Sequence, residues 1–228
     1  MQNDELVLAV DAKNVRDVIT ETENGPLFFD TPAESVERIG WISEDRDARV
    51  FIPRSQIESM TQYKQPCSYA IVHDGAGKIL MGKRTKYSTE GRLKERVLIG
   101  FGGHISLQDA WHGSEEFEHE YIKAPFEYNV AREISEELDV SFDDDPEIVC
   151  LINDESNEVG RVHLGIVTVI RANRAPRAST EHSMLAWVDR ERAKGAAGVA
   201  AGRRLVCMIE ATNVASRRVM EKAGLKFV

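Results

Sequence analysis

Three carboxylates crowd one short segment, Arg132-Glu133-Ile134-Ser135-Glu136-Glu137-Leu138. On a helix, Glu133, Glu136 and Glu137 stand at i, i+3 and i+4 and project from one side. Like charges at that spacing weaken a helix by a few tenths of a kcal/mol per pair. They also fall near the negative end of the helix dipole, the wrong place for anions. A divalent cation among the carboxylates would account for both costs, and ligation by oxygen alone favours Mg²⁺ or Mn²⁺. A solvated acidic face is the plain alternative in so acidic a chain. The second chemical feature is Gly102-Gly103, which follows the apolar run Val97–Phe101 and lets the backbone turn sharply, offering a carbonyl to a ligand. Either feature is common alone; strand, glycine pair and acidic helix in that order form a rarer combination.

The elements that must position these groups are legible in the pattern. Leu6–Val10 reads as a strand, Asp11–Ile19 as a short helix, Glu21–Gly25 and Asp30–Pro32 as turns, and Val50–Pro53 as a strand stopped by proline. Ser68–His73 and Lys78–Gly82 flank Asp74-Gly75-Ala76-Gly77 and read as a hairpin. Val97–Phe101 is a strand running into the glycine pair. Gly113–Leu138 is helical in composition and divided by Pro125: a short helix before it, and about four turns after it. In the second helix Phe126, Val130, Ile134 and Leu138 recur every fourth residue as one buried stripe, with the carboxylates offset from it. Ile148–Ile152, Arg161–Arg171 and Met184–Val188 read as strands, and Asp189–Ala200 as a helix.

With these residues in place, the chain resembles the Nudix hydrolases, whose signature is G-x5-E-x7-R-E-U-x-E-E-x-G-U with U aliphatic. Gly103 matches the first glycine, Arg132-Glu133-Ile134-Ser135-Glu136-Glu137 matches R-E-U-x-E-E, and Val140 matches the final U. There are three departures. Asp109 stands where the first Glu is expected, twenty-two residues separate it from Arg132 where the signature has seven, and Asp139 replaces the last glycine. Outside the signature, Tyr63-Lys64-Gln65, Lys83-Arg84, Glu90-Gly91-Arg92-Leu93 and Ile99–Ile105 are similar to a subgroup of predicted MutT-like phosphoesterases. The resemblance implies an α/β/α sandwich with a mixed β-sheet. It also implies Glu136 and Glu137 as metal ligands, Glu133 as ligand or base, the Gly102 carbonyl in the metal shell, and Arg132 orienting the carboxylates. The activity implied is hydrolysis of a diphosphate linkage by water, assisted by the cation.

Composition sets the remaining bounds. The chain has 228 residues, 42% apolar and 29% charged, with 29 basic against 38 acidic side chains and a net charge of −9. So negative a surface disfavours duplex nucleic acid but not a small phosphorylated ligand bridged by a cation. No apolar run is long enough to span a bilayer, no signal-peptide pattern is evident, and a cytoplasmic location is expected. Cys67, Cys150 and Cys207 have no zinc-type pairing and read as buried small side chains in a reducing compartment. Lys83, Arg84, Arg92, Lys94 and Arg96 form a basic island, with Arg84 the best candidate for substrate phosphate; Gly103 and His104 are further substrate candidates. Asp154, Glu155 and Glu158 read as a solvated turn or a late metal ligand. His163 lies on a strand whose facing its neighbours do not decide, and the 110–125 loop, with Trp111, His112 and Phe117, reads as a pocket cover or a surface elaboration.

The last segment, 191–228, resembles the closing strand–helix–strand of GNAT-type acetyltransferases through Arg204–Ile209 and the helix pattern Asn213–Gly224. About 36 residues cannot form an independent core, so the expectation is a remnant that packs on the main domain or builds a homodimer. The expected organisation is thus an N-terminal extension over 1–62, a hydrolase domain over 63–190 and this tail. Two other functions stay open: a silent nucleotide-binding module, and acyl transfer through the tail.

Overall fold

The computed structural model describes residues 4–19, 24–29, 34, 49–84, 97–114, 123–142, 146–155, 158–180 and 182–189. In chain order the elements are β1 (Leu6–Asp11), α1 (Ala12–Val18), β2 (Asn24–Phe28), β3 (Arg49–Pro53), α2 (Arg54–Ile57), β4 (Tyr63–His73), β5 (Lys78–Arg84), β6 (Val97–Leu98), β7 (Gly100–Phe101), α3 (Leu107–Ser114), α4 (Lys123–Leu138), β8 (Glu147–Asp154), α5 (Glu158–Val162), β9 (His163–Arg171) and β10 (His182–Asp189). They fall into two compact units. The first takes residues 1–68, 103–130 and 148–167; the second takes 69–102, 131–147 and 168–228.

In the first unit the strand order is β4–β9–β8–β2, with β1 pairing β3 and the start of β4. Val7, Leu8, Ala9 and Val10 of β1 are all buried, so this strand is covered on both faces and reads as a continuous apolar run. Asp11 ends it and caps α1, its carboxylate accepting the Lys13 N–H at 2.7 Å. β2 runs antiparallel to β8, from Asn24↔Asp154 to Phe28↔Cys150. The turn expected through Gly25 is a strand here. Pro26 misleads the reading, but among the described residues β2 ends the strand order, the position where a sheet tolerates proline. The segment 1–62, expected as an extension, contributes β1, β2, β3, α1 and α2 to this unit.

In the second unit β10 pairs β5 antiparallel from His182↔Arg84 to Asp189↔Lys78, and β5 meets β4 at His73↔Ile79. The hairpin turn is as expected. Gly75 and Gly77 adopt φ of 75° and 97°, and the Asp74 carboxylate accepts the N–H groups of Ala76 and Lys78 at 2.7 and 3.0 Å. The end of β4 and that of β9 lie together, Ala172 donating its N–H to the His73 carbonyl at 3.1 Å. In the first unit the Gln65 side chain, near the start of β4, reaches the Val162 carbonyl just before β9. The two strands therefore run parallel, and the sheet is mixed.

Three expected boundaries shift. Val97–Phe101 divides at Ile99 into β6, paired with β5, and β7, paired with β4. A helix not expected there, α3, spans Leu107–Ser114; the short helix expected between Gly113 and Pro125 falls mostly on residues 115–122, outside the described residues, and α4 starts at Lys123. Pro125 then falls in the first turn of α4, where no intrahelical N–H bond is required. Arg161 and Val162 belong to α5 rather than to the strand that follows. The stripe Phe126, Val130, Ile134 and Leu138 is fully buried, which stabilises the fold by about 2 kcal/mol per side chain. The helix expected at 189–200 and the tail 191–228 lie outside the described residues, except Asp189, which closes β10.

Candidate active site

The last two turns of α4 carry the acidic constellation. The stripe fixes the rotation of the helix, so the carboxylates differ sharply in exposure: Glu137 is 6% exposed, whereas the Glu136 side chain is 61% exposed. Arg132 lies between the other two, its Nη1 at 3.0 Å from Glu133 and 3.3 Å from Glu136. The guanidinium thus offsets like-charge repulsion along the helix and holds two carboxylates in a defined orientation.

Gly102 meets this helix. Its N–H donates to Glu137 Oε2 at 3.3 Å, and its φ of 142° is a conformation that side-chain-bearing residues rarely adopt. Glu137 and the glycine turn, distant in sequence, therefore meet within the second unit, but among the described residues the group of three candidate ligands within 4.8 Å of one another is Cys67, His104 and His163, not the three glutamates expected to gather on α4. Carboxylate oxygens are by their chemistry donors for a hard divalent cation such as Mg²⁺ or Mn²⁺, and bringing these three around one ion would require side-chain rearrangement of α4.

Other sequence candidates have different surroundings. Gly103 is tied to Ser68: its carbonyl accepts the Ser68 N–H at 2.9 Å, and its N–H donates to Ser68 Oγ at 3.3 Å. His104 Nε2 lies 3.1 Å from His163 Nε2, and Cys67 completes a cluster with them. Cys67 is thus half-buried beside two imidazoles rather than a buried filler, whereas Cys150 is fully buried and burial pushes its thiol pKa up. Glu155 pairs with the buried Lys64 at 2.8 Å. Asp109 accepts the N–H and the hydroxyl of Ser106 at 2.8 and 3.0 Å and the Asn129 amide at 3.1 Å. Its carboxylate serves the start of α3. Trp111 on α3 is 68% exposed.

Arg84 ends β5 opposite His182. Lys83 of the basic island also lies in β5, whereas Arg92, Lys94, Arg96, Phe117 and Cys207 lie outside the described residues, as does the GNAT-like tail. Two features escaped the sequence reading. Ser106-Leu107-Gln108-Asp109 is a capping-box pattern that was legible. The Cys67, His104 and His163 cluster carried no spacing signal, because its members come from three separate strands or strand extensions.

The comparisons with known proteins bear on the fold. No family model matches the chain. The crystal structure of Tm1382, a provisionally assigned Nudix hydrolase, superposes with a TM-score of 0.67, covering 91% of this chain and 99% of that one at 21% identity. The fold is that of the Nudix hydrolases. In sequence, the chain is 33% identical to protein YmaB of Bacillus subtilis (strain 168) over 120 residues. That match covers 52% of this chain and 54% of YmaB, so the chain spans about half the length of this curated relative. Among the described residues, no helix is long and apolar enough to cross a membrane.

Proposed function

We propose that this chain is a divalent-metal-dependent pyrophosphohydrolase that cleaves a diphosphate linkage in a nucleoside-diphosphate-type substrate. The observation that carries the reading is the meeting of Glu137 with the Gly102 turn; on the same helix one arginine pairs with Glu133 and Glu136. Glu136, Glu137 and the Gly102 carbonyl are the proposed ligands of Mg²⁺ or Mn²⁺. When bound, the cation supplies charge neutralisation of the diphosphate and polarisation of phosphorus. Glu133 is the proposed base, taking the proton of the attacking water at a carboxylate oxygen. Arg132 orients Glu133 and Glu136 by the ion pairs already described. Arg84 is the proposed contact for a substrate phosphate.

The test is phosphate release from a panel of diphosphates with Mg²⁺ or Mn²⁺, comparing the wild type with Glu136→Gln. Removing one charge at the metal should lower turnover roughly a hundredfold or more, with the circular-dichroism spectrum unchanged. Equal turnover in the variant would refute the ligand assignment. Metal-dependent nucleotide binding without release by the wild type would favour a silent binding module instead.

A further inference from the structure

Strand β4 carries Cys67 between two neighbouring segments. On one side Cys67 forms an antiparallel bridge with His104, secured by Ser68 N–H to Gly103 carbonyl at 2.9 Å and Ile105 N–H to Pro66 carbonyl at 3.4 Å. β9, which starts at His163, is the other neighbour of β4. Cys67 Sγ, a His104 nitrogen and a His163 nitrogen all lie within 4.8 Å of one another. All three residues belong to the first unit, whereas Gly102 and the carboxylates of α4 belong to the second.

We propose that Cys67, His104 and His163 bind a borderline-soft transition-metal ion, Zn²⁺ in preference to Mg²⁺ or Mn²⁺, with a fourth coordination position left for water or an exogenous ligand. The Nε2 atoms of the two histidines are 3.1 Å apart. Tetrahedral Zn–N bonds of about 2.0–2.1 Å would separate two such atoms by roughly 3.4 Å, so metal entry requires only a small opening. The His163 ring is already oriented for ligation. Its Nδ1 lies 2.7 Å from the Val159 carbonyl, which can only accept, so Nδ1 carries the proton and Nε2 presents a lone pair. An imidazole whose second nitrogen donates to a backbone carbonyl is the usual support for a metal-bound histidine. The backbone at His104 is held as well, its carbonyl accepting the Asn129 amide at 2.7 Å.

The proton balance follows from this arrangement. Without metal, His104 Nε2–H donates to His163 Nε2. Metal binding moves the His104 proton to Nδ1 and releases the Cys67 thiol proton to solvent. Arg54 contributes a positive charge near His104. Arg54 works against a cation, and the thiolate formed on binding opposes that charge. Sulfur and imidazole donors separate this site from the carboxylates of α4, which suit harder ions.

The experiment is a Co²⁺ titration of the full-length, metal-free, reduced protein in excess Mg²⁺. The expected result is saturation at one equivalent, a thiolate-to-cobalt charge-transfer band in the near ultraviolet and intense visible bands of four-coordinate cobalt, all displaced by Zn²⁺. Cys67→Ser should remove the charge-transfer band and His163→Ala should weaken binding at least tenfold, each with an unchanged circular-dichroism spectrum. Zn²⁺ should raise the wild-type Tm but not that of Cys67→Ser. Glu136→Gln should leave the cobalt spectrum as it is, so failure here is distinct from failure of the hydrolase reading. Absence of a charge-transfer band, its persistence in Cys67→Ser, or its loss in Glu136→Gln overturns the proposal.

Discussion

Asp139 occupies the position where the signature has glycine, and its φ is 52°. A left-handed residue just past a helix favours glycine; a side chain there costs about 1–2 kcal/mol, least for Asp and Asn. Here the turn is over-determined by its neighbours. Arg174 Nε donates to the Asp139 carbonyl at 2.7 Å and its Nη2 to the Asp139 carboxylate at 2.9 Å. The Leu138 and Glu137 carbonyls accept the N–H groups of Arg177 and Ser179 at 2.7 and 3.1 Å. The Asp139 ion pairs are exposed and contribute little, so the backbone conformation decides the outcome of substitution. Asp139→Gly should be neutral to within about 1 kcal/mol in urea denaturation and should keep full hydrolysis. Asp139→Val should lose about 1–2 kcal/mol, since a β-branched residue tolerates this conformation worst. Equal stability of the two variants would count against a requirement for positive φ.

At the scale of elements, Asp109 shows how a position in a motif can be claimed by a different physical need. Ser106 and Asp109 satisfy each other's N–H groups at the start of α3, with Asp109 N–H to Ser106 Oγ at 3.3 Å closing the box. Asn129 of α4 donates to the same carboxylate, so the cap also links α3 to α4. Asp109→Ala is therefore a stability variant. It should lose about 1–2 kcal/mol by denaturant unfolding, while the metal-concentration dependence of hydrolysis stays where it was. A raised metal requirement at unchanged stability would instead make Asp109 a ligand.

Across the whole molecule, buried histidine couples folding to pH. Burial, then Arg54 and His163, depress the folded pKa of His104 below the unfolded value near 6.5. Burial also lowers that of His73, with Arg171 assisting and Asp74 opposing. A depressed histidine binds fewer protons folded than unfolded, so its contribution to stability is fully present above about pH 6.5 and is lost as pH falls below it. The metal-free protein should hold a constant Tm between about pH 7 and 8 and lose it steadily toward pH 5. His104→Asn should flatten that slope. A wild-type Tm equally constant down to pH 5 would contradict the buried neutral ring.

Much of this was written in local patterns. The period-four stripe of α4, the hairpin around Asp74–Gly77, and the i, i+3, i+4 carboxylates follow from short-range sterics and from which side chains avoid water, and those act within a few residues. β2 was hidden because Gly25 and Pro26 mimic a turn until β8 supplies its partner. By itself the sequence determined that an acidic helix and a glycine turn exist and what chemistry they suit. Only the tertiary structure decided that Glu137 reaches Gly102, that Asp109 caps a helix, and that Cys67, His104 and His163 converge. Those contacts join residues far apart along the chain, and strand pairing and helix packing alone set such distances.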